Sequence, residues 1–373
     1  MTTGHIDVSI VVPTYREVEN LTLLVERVFE ATRAANIVAE LIVVDDDSRD
    51  GTDARCGELA RRYDVRLITR KGERGLATAV IEGFRQARGR LLLCMDADLS
   101  HPPEAIPEMA RALSDGAELV IGSRYLAKGA VEEGWGVYRW LNSKIATLLA
   151  RPLTHVSDPL GGYFAVPREV FFRAGELSPL GYKIALEVLV RSRPERIAEI
   201  PIYFRDRKFG QSKLSMRVQF QYLRHLRRLY LFKFPFLLQL TQFLAVGGLG
   251  VLVDIAVYYA LQLLLGVEHL TARAISFFVA ATHNWFLNRR YTFVYGRADA
   301  AAGQWVSYLL VVLLGFVVNV GAYALLTTQT RTFFARHPLF ALLTGIVLGT
   351  ASNFLAARWY VFRGKRRSAP RPT

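Results

Sequence analysis

Two aspartates one residue apart, Asp96-Ala-Asp98, follow directly on the apolar run RLLLCM at 90–95. Carboxylates at i and i+2 on a chain leaving a buried strand suit a hard divalent ion and, through it, a diphosphate. An acidic pair alone often only solvates a turn; its place at a strand's carboxyl end, ahead of LSHPPE, gives it weight. His101 is a tempting extra ligand, but a histidine that structures the loop before Pro102-Pro103 is the preferred reading. A second acidic cluster, VVDDDSRDGT at 43–52, offers Asp46 as acceptor for a ribose or base, with Asp50 capping the helix after Gly51. VVPTYREVEN at 11–20 offers Pro13, Tyr15 and Glu17 around a base; by itself it is a strand entering a capped helix.

These clusters need elements to hold them. Short apolar runs at 8–13, 40–45, 65–69, 90–96 and 118–123 alternate with helical patterns. The alternation predicts an α/β domain, a mostly parallel sheet with helices on both faces, and such sheets bind ligands beyond the carboxyl ends of their strands. The polar clusters fall there. Cys56 and Cys94 have no metal or CxxC spacing and are expected to be buried reduced thiols.

The charge is divided. The chain has 373 residues and a formal net charge of +14. Residues 1–212 hold 29 Lys+Arg against 30 Asp+Glu, whereas 213–373 hold 18 against 3. The excess lies beside long apolar runs, as membrane-surface and topology determinants do, and no nucleic-acid motif accompanies it, so nucleic acid is excluded as a partner. Residues 214–234 set Leu223, Leu226 and Tyr230 at helical spacing among Arg224, Arg227, Arg228 and Lys233, which predicts an interfacial helix with its apolar side in lipid. Apolar segments at 236–265, 270–288, 305–327 and 338–362 each approach the ~20 residues a span requires.

Cations gather before the first segment, between the second and third, and after the fourth, which places both chain ends in the cytosol. The N-terminus lacks a signal-like run, so the first domain is expected to stay there. The resulting division is 1–212, interfacial helix 213–235, membrane domain 236–365 and basic tail 366–373. Within the membrane domain, GVLVDIAVYYAL at 250–261 aligns with GFVVNVGAYALL at 315–326, and FLNRRY at 286–291 with FLAARW at 354–359, a parallel repeat. Asp254 and Asn319 occupy matching positions and are expected to face one another inside the bundle, because an acid within a span is costly unless it faces protein or water. A structural pair locking the helices is the alternative.

VVPTYREVEN, VVDDDSRDGT, GLATAV at 75–80, MDADLSHPPE, IGSRY and FGQSKL, in this order, make residues 1–235 resemble a family 2 glycosyltransferase of the dolichol-phosphate mannose synthase type. FLAVGGLGVLVD and NWFLNRRYTF make 236–365 similar to the GtrA-type four-helix membrane domain. The resemblance implies a GT-A (Rossmann-like) catalytic fold followed by four membrane helices. It further implies a divalent metal, Mg or Mn, and inverting transfer from GDP-mannose to a polyprenyl phosphate at the bilayer surface.

By motif position the resemblance assigns Pro13, Tyr15, Glu17, Val44 and Asp46 to the nucleotide, and Asp96 and Asp98 to metal and diphosphate. Ala97 and Ser100 would line the same pocket, with Ser100 beside the metal. Arg124, Lys183, Arg207 and Ser212 would surround the diphosphate and sugar. Arg139 and Ser143, four apart on one helix face, would hold the lipid phosphate, the alternative being a basic amphipathic helix resting on the membrane. Departures from the family pattern are Asp47, Arg49 and Gly161-Gly162-Tyr163.

The acceptor, a phosphate monoester with a second pKa of about 6, is its own nucleophile, so no enzymic base is required; Asp158 is the carboxylate to watch as an exception or as the orienter of an arginine. Two alternatives stay open: another donor, such as UDP-glucose, UDP-N-acetylglucosamine or a UDP-aminopentose, and a lipid-linked-sugar flippase whose first domain only binds. The apolar segments also permit oligomer contacts.

Overall fold

In the computed structural model, residues 5–126, 130–131, 137–177, 183–204, 216–293, 300–328 and 333–363 are described. The chain forms two compact units, Met1–Lys233 and Phe234–Thr373.

In the first unit five mostly apolar runs become strands, all buried along most of their length except β3, which lies at the edge of the sheet and is only partly covered. They are β1 (Val8–Thr14), β2 (Ala39–Asp45), β3 (Val65–Thr69), β4 (Leu91–Cys94) and β5 (Leu119–Ser123). The helices between them are α1 (Val18–Ala34), α2 (Thr52–Leu59), α3 (Leu76–Gln86) and α4 (Ile106–Ser114). After β5 come β6 (Ala130–Val131), α5 (Val137–Ala150), β7 (Phe164–Pro167), α6 (Arg168–Arg173), α7 (Ile184–Ser192), β8 (Ile197–Pro201), β9 (Tyr203–Phe204) and α8 (Met216–Lys233). The sheet order is β3-β2-β1-β4-β7-β5-β8. All its pairings are parallel except those of β7, which lies antiparallel between β4 and β5. The sheet is mostly parallel, as expected, and β7 is its one antiparallel strand. Its Phe164 and the preceding Tyr163 are completely buried.

At the amino-end side of the sheet Glu40, also completely buried, accepts from Ser9 Oγ at 2.6 Å, Arg88 N at 2.6 Å and Arg66 Nε at 3.1 Å. Burial raises its pKa, but the bonds from Ser9 and Arg88 outweigh that and hold it below the usual glutamate value. Cys56 and Cys94 are free and buried as expected, and burial with the nearby Asp45 pushes the Cys56 thiol up to about 11.

The interfacial helix divides its apolar side. In α8, Leu223 is 49% exposed, whereas Leu226 is 4% exposed. Tyr222 Oη donates to Ala146 O at 2.7 Å and Tyr230 Oη to Leu149 O at 2.8 Å, so Leu226 and Tyr230 face the catalytic unit and not lipid. The outward apolar surface is completed by Leu141, Ile145 and Leu148 of α5.

In the second unit, α9 (Pro235–Leu265) packs on α10 (His269–Leu287), and α11 (Ala301–Thr328) on α13 (Pro338–Ala356), with α12 (Phe333–Arg336) between the latter two. Pro235–Leu265, Ala301–Thr328 and Pro338–Val361 are long and apolar enough to cross a membrane. Leu252, Leu310, Phe316, Val317 and Val347 are exposed, which suits lipid and not water.

The repeat is present, with its second register moved by one residue. A side chain at Gly250 would collide with the Asn284 amide, and one at Gly315 with that of Asn353, so Asn284 and Asn353 are equivalent. Arg358 therefore corresponds to Arg289, and not to Arg290 as the FLNRRY/FLAARW alignment implied. Asp254 and Asn319 each turn to the second helix of their own hairpin. Asp254 pairs with Arg273, and Asn319 packs on Gly345 and Gly349, so the expectation that they face one another is not met.

Candidate active site

At the carboxyl end of the sheet, where the loops leaving β1, β2 and β4 emerge, the first two are clasped together. Asp45 accepts from Thr14 Oγ1 at 3.3 Å, from Ser48 N at 2.8 Å and from Ser48 Oγ; Ser48 Oγ in turn accepts from Arg16 N at 2.8 Å. Arg16, Asp47, Arg49 and Leu99 on these loops all have positive φ, a strained backbone for non-glycine residues. Asp50 behaves as the predicted cap, accepting from Thr52 N at 3.1 Å and Val18 N at 3.3 Å.

Around the predicted nucleotide position, Tyr15 lies between two guanidiniums, Arg74 at 4.9 Å and Arg16 at 5.4 Å from its ring centre. A cleft of about 470 Å³ is lined by Tyr15, Arg16, Asp47, Ser48, Asp50 and Arg74, among others. Pro13, next to last in β1, pairs with Val44, and Glu17 accepts from Asn20 Nδ2 at 2.8 Å at the start of α1. Asp46 is already engaged: it accepts from Arg70 Nε at 2.8 Å and from Gly75 N at 2.8 Å. Arg70 also donates to Thr78 Oγ1 at 2.6 Å. Asp46 thus ties β2 to the GLATAV segment. Arg70 was invisible to sequence reading, since nothing local marks an arginine that will meet an acid 24 residues away.

The Asp96–Asp98 loop is set by His101. Its Nδ1 accepts from Asp96 N at 3.0 Å, its ring stacks on Tyr163 at 4.9 Å, and burial lowers its pKa. It is the loop-structuring histidine preferred above. Tyr163 Oη donates to Pro102 O at 2.9 Å, and Gly122 leaves room for that ring: a Cβ there would lie 2.7 Å from Tyr163 Cδ1. Ala97 is buried, Asp98 accepts from Ser100 N at 3.1 Å, and Ser100 Oγ is buried with no hydrogen-bond partner. No group of three His, Cys, Asp or Glu poised for a metal exists among the described residues. Two carboxylates and an orphan hydroxyl, all hard oxygen donors, nevertheless fit Mg or Mn, which commonly complete their shell with water and substrate phosphates.

Next to Asp96 stands a buried cationic group. Asp158 is completely buried and holds Arg124 in a fork, accepting from Nε at 2.7 Å and from one Nη at 2.9 Å. This geometry makes Asp158 the orienter of an arginine. Lys183 Nζ donates to Leu160 O at 2.9 Å. Burial and the neighbouring Arg124 push its pKa down to about 7, while Asp158 and Asp96 pull the other way. Gly162, where the family pattern departs, lies against Asp96: a Cβ there would sit 3.7 Å from both carboxylate oxygens. Asp96, Arg124, Lys183 and Asp158 are thus brought together from four separate segments.

Ser143 on α5 shares a 2.9 Å hydrogen bond with Tyr125 Oη, and the Tyr125 ring is 5.5 Å from the Arg124 guanidinium. Arg139 belongs to the same helix, but its side chain lies outside the described residues, as do Arg207 and Ser212 entirely. Sequence reasoning missed Tyr125 although IGSRY was noticed; its position after Arg124 was the available signal.

Comparison with known proteins matches residues 9–173 to glycosyl transferase family 2 and residues 242–362 to the GtrA/DPMS transmembrane domain. The chain is 37% identical to a dolichol-phosphate mannosyltransferase of Pyrococcus furiosus, over 94% of this chain and 98% of that protein. It is 43% identical to the dolichol-phosphate mannosyltransferase of Mycosarcoma maydis, over 61% of this chain and 80% of that one. Among solved structures, glucosyl-3-phosphoglycerate synthase of Mycobacterium tuberculosis is similar with a TM-score of 0.44 at 19% identity, covering 61% of this chain and 79% of that one.

Proposed function

The chain belongs to the dolichol-phosphate mannosyltransferase family, with a family 2 glycosyl transferase domain followed by a GtrA/DPMS transmembrane domain; from that premise we propose that it transfers mannose from GDP-mannose to a polyprenyl phosphate at the cytosolic membrane face. It is a membrane glycosyltransferase. The observation that carries the reading is the convergence of Asp96, Arg124 and Lys183, with the orphan Ser100 hydroxyl on the same loop as Asp96.

A divalent ion held by Asp96, Asp98 and Ser100 would neutralise the diphosphate leaving group. Arg124, fixed by Asp158, and Lys183 supply positive charge where negative charge develops as the sugar C1–O bond to the diphosphate breaks. The acceptor phosphate is largely dianionic near neutral pH, so its oxygen attacks C1 from the opposite face without an enzymic base, and the configuration inverts. Asp158 is spent on Arg124, which supports this route. Pro13, Tyr15, Glu17, Val44 and Asp46 would hold the nucleotide, and Arg139 with Ser143 would align the lipid phosphate. Four spans, with α10 as the second, keep both ends on the cation-rich side, in keeping with the positive-inside rule.

The test is a transfer assay on the purified chain with radiolabelled nucleotide-sugars, polyprenyl phosphate, and Mg or Mn present or absent. Label is expected from GDP-mannose, and Asp98→Asn is expected to leave almost no turnover. Label from UDP-sugars alone, or normal turnover by Asp98→Asn, would overturn the proposal.

A further inference from the structure

Tyr125 joins two parts of the catalytic unit that the sequence keeps apart. Along the chain it follows Arg124, which Asp158 holds in a fork at 2.7 and 2.9 Å. In space its hydroxyl meets Ser143 Oγ on α5, 18 residues on, at 2.9 Å. Its ring also meets two cations, with the Arg124 guanidinium 5.5 Å and the Lys144 ammonium 4.9 Å from the ring centre. Ser143 and Lys144 are neighbours on α5. One tyrosine thus grips that helix by its hydroxyl and by its ring, and touches the arginine of the diphosphate side as well.

The two hydroxyls carry two protons and use one between them. Neither Tyr125 Oη nor Ser143 Oγ has another hydrogen-bond partner among the described residues. Each hydroxyl donates once and can also accept, so whichever donates inside the pair, the other keeps a proton to offer. Such an offer suits an anion. Both residues are half-buried, which leaves that proton within reach of a ligand. A phenol is the stronger donor of the two, so Tyr125 is placed to donate to Ser143 and to strengthen the bond that the serine makes onward.

The orientation of α5 fits an amphiphile. Leu141, Ile145 and Leu148 are exposed on its outer side. At about 100° of rotation per residue, Ser143 stands roughly 160° around the helix from both Leu141 and Ile145, on the side of Tyr125 and Arg124. The carbonyls of Ala146 and Leu149 are held by Tyr222 and Tyr230 of α8, so α5 is braced by α8 while Tyr125 links it to the diphosphate side.

We propose that Tyr125 is the positioning residue for the acceptor: it aims the Ser143 hydroxyl at the phosphate of the lipid and, through its ring, sets α5 beside Arg124. One side chain then registers the acceptor against the donor. The inference rests on the reading of Ser143 as part of the lipid-phosphate site. Tyr125 makes and breaks no bond of the reaction, and its hydroxyl acts through the serine.

The test measures equilibrium binding to the full chain in detergent with two probes, a radiolabelled polyprenyl phosphate and the matching polyprenol without phosphate. Tyr125→Phe keeps the ring and removes only the hydroxyl. It should weaken binding of polyprenyl phosphate about fivefold, the scale of one hydrogen bond, and leave polyprenol binding unchanged. In the transfer assay it should raise KM for polyprenyl phosphate and spare GDP-mannose binding. Ser143→Ala should weaken the phosphate probe at least as much. Tyr125→Phe combined with Ser143→Ala should be no worse than Ser143→Ala alone, because the tyrosine acts through the serine. Ser143→Thr, which keeps a hydroxyl, should retain the response to Tyr125→Phe. Equal losses for both probes, additive losses in the double variant, or normal phosphate binding by Tyr125→Phe where Ser143→Ala is impaired would overturn the role of Tyr125 and leave the acceptor reading in place. Normal binding of both probes by Ser143→Ala would overturn the acceptor reading, and the inference with it.

Discussion

Lys183 offers a quantitative test of the active-site reading. Its ordinary pKa of 10.5 is brought to about 7 by burial and by Arg124. At pH 8 a group with a pKa of about 7 carries its proton in roughly a tenth of the molecules. A diphosphate arriving beside it favours the charged form. If the bound pKa rises to about 9, roughly nine tenths of the molecules are protonated, and donor binding at pH 8 takes up about 0.8 proton. The two phosphates of a nucleotide-sugar are already ionised at that pH, so the proton enters the protein. Calorimetric titration of GDP-mannose in Hepes and in Tris reads this uptake, because the apparent enthalpy changes with the buffer's ionisation heat. Lys183→Arg, permanently charged, should bring the uptake near zero. The sign for stability follows as well: with the folded pKa below the unfolded one, the native state binds fewer protons between pH 7 and 10.5, so stability rises with pH across that window. No uptake by the natural chain at pH 8, or equal uptake by Lys183→Arg, would refute the reasoning.

Three further outcomes are expected. Asp158→Asn leaves the buried Arg124 without its carboxylate and should cost about 3–5 kcal/mol of stability in a denaturant titration, with transfer falling too; an unchanged midpoint would count against the fork's importance. Gly250→Leu pushes into the Asn284 amide where small residues let the helices approach, and should destabilise the first hairpin by about 1–3 kcal/mol, as read by unfolding in detergent; a neutral result would contradict the close packing. Arg139→Ala should weaken the response to polyprenyl phosphate while sparing GDP-mannose binding, with a turnover loss of up to several kcal/mol from lost alignment. Weakened donor binding with a normal lipid response would move this residue to the nucleotide side.

Much of the architecture was legible along the chain. β1, β2, β3, β4 and β5 appear at the short apolar runs, because a strand inside a covered sheet is mostly apolar. The long apolar helices of the second unit follow from length and composition in the same way. Asp96, Asp98, His101 and Asp50 could be placed from their position relative to a strand end, which is a local property. Tertiary structure decided what each charged group meets. Asp46 meets Arg70, and Asp158 meets Arg124 34 residues away, because packing closes loops whose sequences carry no trace of one another. The antiparallel insertion of β7, the inward turn of Leu226 and the one-residue shift that makes Arg289 the counterpart of Arg358 have the same origin. Periodicity records which residues prefer to be buried and at what spacing. It does not record against which neighbour, and the depressed pKa of Lys183 arises only when Arg124, Asp158 and Asp96 are folded around it.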